Sequence, residues 1–170
     1  MKSTITLLVL VLTVNFISAQ KVELDKIGKQ LQGQIRSVNK LNKDINSFAS
    51  NKGRTMKSAE CEDIYDWAKP MKNYGLKKLL ERVVEYDETI KNQDVYSVVS
   101  DDIRKLKNSI NNSISAVSGI MGTAKKGMNL DVNSSLSGRT IYNSFRRYYG
   151  TLADEIEKAK EAYNAIVKAT

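Results

Sequence analysis

Histidine is missing from this 170-residue sequence, which also has only one cysteine and one proline. Without histidine there can be no His-based triad, no His general base and no His metal ligand. A lone Cys61 leaves neither an internal disulfide nor a thiolate zinc cluster. One proline and nine glycines argue against collagen-like, proline-rich and turn-dense β architectures. What remains is 41% apolar and 27% charged, the balance of an ordinary folded domain. Basic residues outnumber acidic ones, 27 to 19, for a net charge of +8.

Residues 1–19 differ from all that follows. Lys2 supplies a positive start, Ile5 to Ile17 is mostly Leu, Val, Ile and Thr, and Ser18-Ala19 precedes Gln20. This is the pattern of a secretory signal peptide cut after Ala19. The apolar run falls short of the ~20 residues needed to span a bilayer. The expected product is a secreted, extracellular protein without a transmembrane segment, a single domain over 20–170. It loses Lys2 and no acid, so its net charge falls by one to +7.

The rest of the chain reads as helix. Apolar residues recur in steps of three or four at Leu24, Ile27, Leu31, Ile35, Val38, Leu41, Ile45 and Phe48. A second stripe runs through Cys61, Ile64, Trp67/Ala68 and Met71, then Leu76, Leu79, Val83, Tyr86 and Ile90. Pro70 interrupts it, which predicts a kink or a restart. A third carries Val95, Val99, Ile103, Leu106, Ile110, Ile114, Val117 and Met121, with Gly119, Gly122 and Gly127 read as its end. A loop over Thr123 to Ser137 follows, with Ser137 as N-cap of a fourth stripe: Ile141, Phe145, Tyr148, Leu152, Ile156, Ala159, Tyr163 and Ile166. The spacing predicts helices near 21–49, 57–92, 94–122 and 138–168. Four such seams define an all-α protein, an antiparallel four-helix bundle of up-down-up-down order with the second helix kinked at Pro70.

Candidate chemistry is sparse. Glu60, Glu62, Asp63 and Asp66 cluster, as do Asp101 and Asp102, but Glu62 and Asp66 fall on the side of their helix away from the apolar seam. A solvated face and complement to the helix dipole account for them better than acid–base catalysis. No Glu-x-x-His pair or calcium loop occurs, so neither metal nor cofactor is expected, and the chain is read as no enzyme. Cys61 lies on its seam as a buried thiol, with an intermolecular disulfide as the alternative. Asn111 and Asn133 are N-glycosylation acceptors, Asn133 the better placed because it lies in the long loop. In the segment from Arg139 to Tyr149, Phe145 and Tyr148 fall on the core seam, while Tyr142, Arg146, Arg147 and Tyr149 are free to face outward.

An up-down-up-down order brings the first and third connections to one end. Lys52, Arg54, Lys57, Lys125, Lys126, Arg139, Arg146 and Arg147 would then form a basic pole. The other pole would collect Glu85, Asp87, Glu88, Asp94, Asp101, Asp102, Asp154, Glu155 and Glu157, diluted by lysines.

A small, basic, all-helical chain with a signal peptide resembles lineage-specific proteins of arthropod saliva or venom, anopheline salivary complement inhibitors among them. The resemblance is one of size, leader and architecture, and it transfers no residue roles. It implies a monomeric binding or effector protein that touches a protein or an acidic glycan by its surface; secretion argues against nucleic acid. The alternative is a lipid-binding carrier whose amphipathic helices open onto a lipid surface, as in the similar exchangeable apolipophorins.

Overall fold

The computed structural model describes the backbone of residues 2–50, 56–129 and 135–170, with side chains over 20–47, 56–129 and 138–170. The described chain is helical, without a strand: α1 (Lys2–Ser50), α2 (Ser58–Pro70), a π-helical segment Met71–Leu76, α3 (Lys77–Ile90), α4 (Tyr96–Met128) and α5 (Ser135–Ala169). α1 runs unbroken through Ala19 and Gln20 into the first seam. No helix among the described residues is long and apolar enough to cross a membrane.

Pro70 does not restart the helix. Its dihedrals (φ −66°, ψ −37°) and those of Met71 (φ −56°, ψ −45°) stay helical, so α2, the π segment and α3 form one rod. What changes is the winding. Proline has no N–H to donate, so the usual ladder cannot pass through it. The Met71 N–H reaches Ala68 O, and the Lys77 N–H bonds Lys72 O, five residues back. That wide turn absorbs one extra residue. The seam records it: steps of three and four become a step of five from Met71 to Leu76, and both residues are buried. Without the π turn, Leu79, Val83, Tyr86 and Ile90 would rotate off the core.

Gly119, Gly122 and Gly127 do not end the third helix, as their spacing had suggested. α4 continues to Met128, so the connection to α5 is shorter than expected, and Ser137 lies within α5. The glycines act through space instead. A Cβ on Gly119 would collide with the Tyr148 ring, and one on Gly127 with Cys61 Sγ. Together with buried Ser109, Ser113, Ala116, Thr123 and Ala124, they give α4 a narrow profile. α5 packs more extensively on α4 than any other pair of helices packs. Gly28 of α1 does the same for Tyr163, further along α5. A glycine within a helix costs roughly 1 kcal/mol relative to alanine, which tight packing of a large ring more than offsets.

The core divides into two clusters along the rods. The first holds Leu41, Ile45, Cys61, Ile64, Met71, Leu76, Val117, Ile120, Phe145 and Leu152 among its members; the second holds Leu24, Ile27, Leu79, Val83, Ile90, Val99, Ile103, Leu106, Ile110 and Ile166. Ile35 and Ile114 touch both, and the π segment lies at the junction. Gly75 of that segment lies against the Gln34 side chain, whose buried Oε1 has no hydrogen-bond partner.

Leu79 and Ile110 are both fully buried, so truncation of either to alanine is expected to cost ~2–5 kcal/mol in urea unfolding. Gly127→Ala should lose about 1–3 kcal/mol through overpacking. Adding Cys61→Ala to that variant should recover part of the loss, since it is the sulfur that the new methyl meets.

Candidate binding surface

Contacts between helix ends define the pole where the predicted cations belong. Ser58, first residue of α2, donates its hydroxyl to Met128 O at the end of α4 (2.8 Å). Arg146 of α5 donates through Nη1 to the side-chain oxygens of Asn42 and Asn46 on α1, both at 3.1 Å. Gly127, Cys61 and Ile141 meet between α4, α2 and α5. The end of α1, the start of α2, the end of α4 and the start of α5 therefore lie together. At the other end, Gln20 bonds Gln93 in the turn before α4, and Gln20, Tyr86 and Val167 share one hollow.

Lys57, Lys125, Lys126, Arg139, Arg146 and Arg147 are exposed in the first of these regions. Lys57 precedes α2, its backbone N–H bonded to Glu60 Oε2 at 2.8 Å, half of a capping box. Lys125 and Lys126 sit in the last turn of α4, where cations complement the dipole. Arg146 lies seven residues beyond Arg139, so it stands roughly 10 Å further along α5. The pole thus extends as a strip down the α1–α5 side. Lys52, Arg54 and Asn133 lie outside the described residues. The pole is also less purely basic than the sequence suggested, because exposed Glu62, Asp63 and Asp66 stand on the first turns of α2.

Three of these cations lie over aromatic rings, as Lys78 also does over Tyr74 outside this end (5.8 Å). Lys125 Nζ lies 5.4 Å from the Tyr65 ring centre, Arg147 4.8 Å from that of Tyr148, and Arg146 5.8 Å from that of Tyr149. Rings and amides hold them, so their charge is left unneutralised.

The other half is the reverse. Ion pairs cluster there: Glu23 with Lys26 and Arg82, Glu88 with Lys91, Asp101 with Arg104, Asp102 with Lys105, Asp87 with Lys107, Glu155 with Lys158, and Glu157 with Lys160. Two residues expected on an acidic pole are not free surface charges. Asp87 is buried and bonded to Lys107 at 2.6 Å. Glu155 is buried between α4 and α5, accepting from Lys158 (2.6 Å) and Asn112 (3.1 Å). Burial alone would raise its pKa, but the hydrogen bonds from Lys158, Asn112 and Ser109 and the Lys158 charge outweigh burial and hold the carboxyl below its ordinary value. The groove of about 510 Å³ above it is lined by Asp102, Lys105, Lys158 and Glu161, mostly charges already paired within it.

The remaining candidates resolve simply. Cys61 is fully buried and reduced, and burial, aided by the Glu60 charge, pushes its thiol up to about 11. A thiol so placed is a poor nucleophile and a poor partner for an intermolecular disulfide. Asn111 is exposed in the middle of α4, but Ser113 of its acceptor triplet is buried and bonded to Ser109 O (2.8 Å). A glycan there must be added before the helix forms. No group of three or more Cys, Asp and Glu side chains able to hold a metal occurs among the described residues. Sequence reasoning missed Asn42 and Asn46, which touch Arg146 from about 100 positions away; no local pattern marks such a contact.

The fold and this surface describe an all-helical protein with a charge-segregated exterior. The chain matches no protein-family profile, no curated protein and no solved structure.

Cys61, Tyr86 and Tyr163 all have raised pKa values, chiefly through burial. The native state holds their protons more tightly than the unfolded chain, so stability is complete below their ordinary pKa values and falls as pH rises above about 9. Urea midpoints measured from pH 7 to 11 should decline over that window. A thiol reagent at pH 8 should label Cys61 only as fast as the protein unfolds.

Proposed function

We propose that the chain is a secreted, non-enzymatic binding protein that engages an acidic macromolecular partner through the end of the molecule bearing Lys57, Lys125, Lys126, Arg139, Arg146 and Arg147. One observation carries the reading: Lys125, Arg146 and Arg147 lie against rings and amides at this end, while ion pairs cluster in the other half of the molecule. Arginine held by neutral acceptors keeps donors and charge for an incoming carboxylate or sulfate, and a guanidinium can grip either with two bonds. Tyrosine and arginine, the residues that meet here, also dominate the energetics of protein interfaces.

The arrangement behind this reading is a monomeric up-down-up-down bundle. The contacts of Ser58 with Met128, Arg146 with α1, and Gln20 with Gln93 support it. The leader over 1–19 supports secretion. A non-enzymatic role accords with the absence of histidine and with a buried thiol whose pKa is raised. Exposed contacts of this kind act mainly on association rate and weaken as salt screens them.

Polyglutamate and heparin serve as probes at low salt. Reversing Lys125, Lys126, Arg139 and Arg146 to Glu should weaken binding by at least about tenfold, with little change in melting temperature. Reversing Lys29, Lys77, Lys78 and Lys168 makes the same change in net charge elsewhere and should have a much smaller effect. Equal losses would reduce the surface to net charge alone. Salt-insensitive capture of phospholipid vesicles would favour the lipid-carrier alternative.

A further inference from the structure

We propose that Gln20 is a modification site, at which the mature chain closes on itself to give an N-terminal pyroglutamate. The inference rests on removal of the leader after Ala19 and is independent of the acidic-partner reading. Cleavage leaves the α-amine of Gln20 four bonds from its own side-chain carbonyl carbon, so that closure gives a five-membered ring. The α-nitrogen attacks Cδ, the N–Cδ bond forms and the Cδ–Nε2 bond breaks. A proton passes from the attacking nitrogen to the departing one, which leaves as ammonia. Nothing is oxidised or reduced and no co-reactant is needed. Because both groups belong to one residue, the reaction has the advantage of intramolecular proximity. A terminal amine with a pKa of about 7.7–8.0 also supplies free nucleophile near neutral pH.

The position of Gln20 in the fold favours the closed form. Gln20 becomes the first residue of the long helix α1, where unsatisfied N–H groups and the positive end of the dipole gather. An ammonium there meets charge of its own sign, and Lys21 adds another. The nearest acid in the first turn, Glu23, is already shared between Lys26 and Arg82. A lactam is neutral and removes the conflict. The side chain is also no free tail. It is part-buried at a hollow of about 250 Å³ lined by Leu24, Tyr86 and Val167, and its Nε2 donates to Gln93 Oε1 at 2.5 Å. Gln93 is itself oriented by donating Nε2 to Thr89 O (3.1 Å), which leaves its oxygen as the acceptor. Cyclisation releases Nε2 and with it the bond to Gln93, while the lactam keeps one N–H donor at the former α-nitrogen. The amine so hidden is also the handle that extracellular aminopeptidases require.

The full chain, expressed in eukaryotic secretory cells, provides the test through intact mass and terminal sequencing of the secreted product. The expected product begins at residue 20, is lighter by one ammonia than the open chain, and resists stepwise N-terminal degradation until pyroglutamyl aminopeptidase removes the ring. A Gln20→Ser variant should begin at the same residue with its full mass and an open amine. Secreted protein that begins at Gln20 with an open amine overturns the cyclisation while leaving the leader reading intact. A product with a different first residue overturns both.

Discussion

One apolar seam, kept facing the core across Pro70, is the constraint on which the rest of the structure depends. The rod from Ser58 to Ile90 contributes to both core clusters, Cys61 to Leu76 in one and Leu79 to Ile90 in the other. An α-helix advances 100° per residue, so one surplus residue would turn the second half of the seam toward solvent. The π turn at Met71–Leu76 takes up that residue next to the one position where the normal ladder is already broken. Beside this turn, the unpaired Gln34 oxygen packs against Gly75. Burial of large aliphatics on both sides of the junction, at about 1.5–3 kcal/mol each, outweighs one unsatisfied acceptor at ~1–3 kcal/mol.

The two halves set by that junction also differ in how they treat charge. Exposed ion pairs contribute only about 0–1 kcal/mol each, so the pairs around Glu23, Asp101, Asp102 and Glu157 matter little as stabilisers. Their larger effect is to neutralise their own half. Asp87–Lys107 and Glu155–Lys158 differ because each anion is buried, and removal of the lysine would leave it uncompensated. In the other half, cations over Tyr65, Tyr148 and Tyr149 keep their charge while the rings reduce their freedom. The same helices thus carry one end where cations lie on rings and amides and one where they are paired with carboxylates, and an uneven charge distribution of this kind can steer association.

Much of the helical content was legible because each apolar seam is long and regular. The residues that fill the core, from Ile27 to Ile166, are largely those the three-four spacing picks out. The five-residue step from Met71 to Leu76 was also in plain view, beside a proline, and is the signal for a π turn. Gly119 and Gly127 misled because a glycine that ends a helix and one that admits a neighbouring ring are identical in sequence; only the positions of Tyr148 and Cys61 distinguish them. Asp87 and Glu155 misled for a related reason. Each lies at the edge of its seam, where burial depends on the neighbouring rod. The α1–α5 contact through Arg146 joins residues about 100 apart, and no local periodicity carries such information.

Lys125, Lys126, Arg139, Arg146 and Arg147 are proposed to form the surface that meets an acidic partner. This is tested most directly by following backbone amide resonances of the isotopically labelled mature protein during titration with polyglutamate at low salt. Shifts should concentrate around Tyr65, Lys125, Arg139, Arg146 and Tyr149, with Asn42 and Asn46 responding as the grip on Arg146 changes. Shifts spread evenly over the exposed lysines, or centred on the paired residues from Arg104 to Lys107 and Lys158, would contradict it.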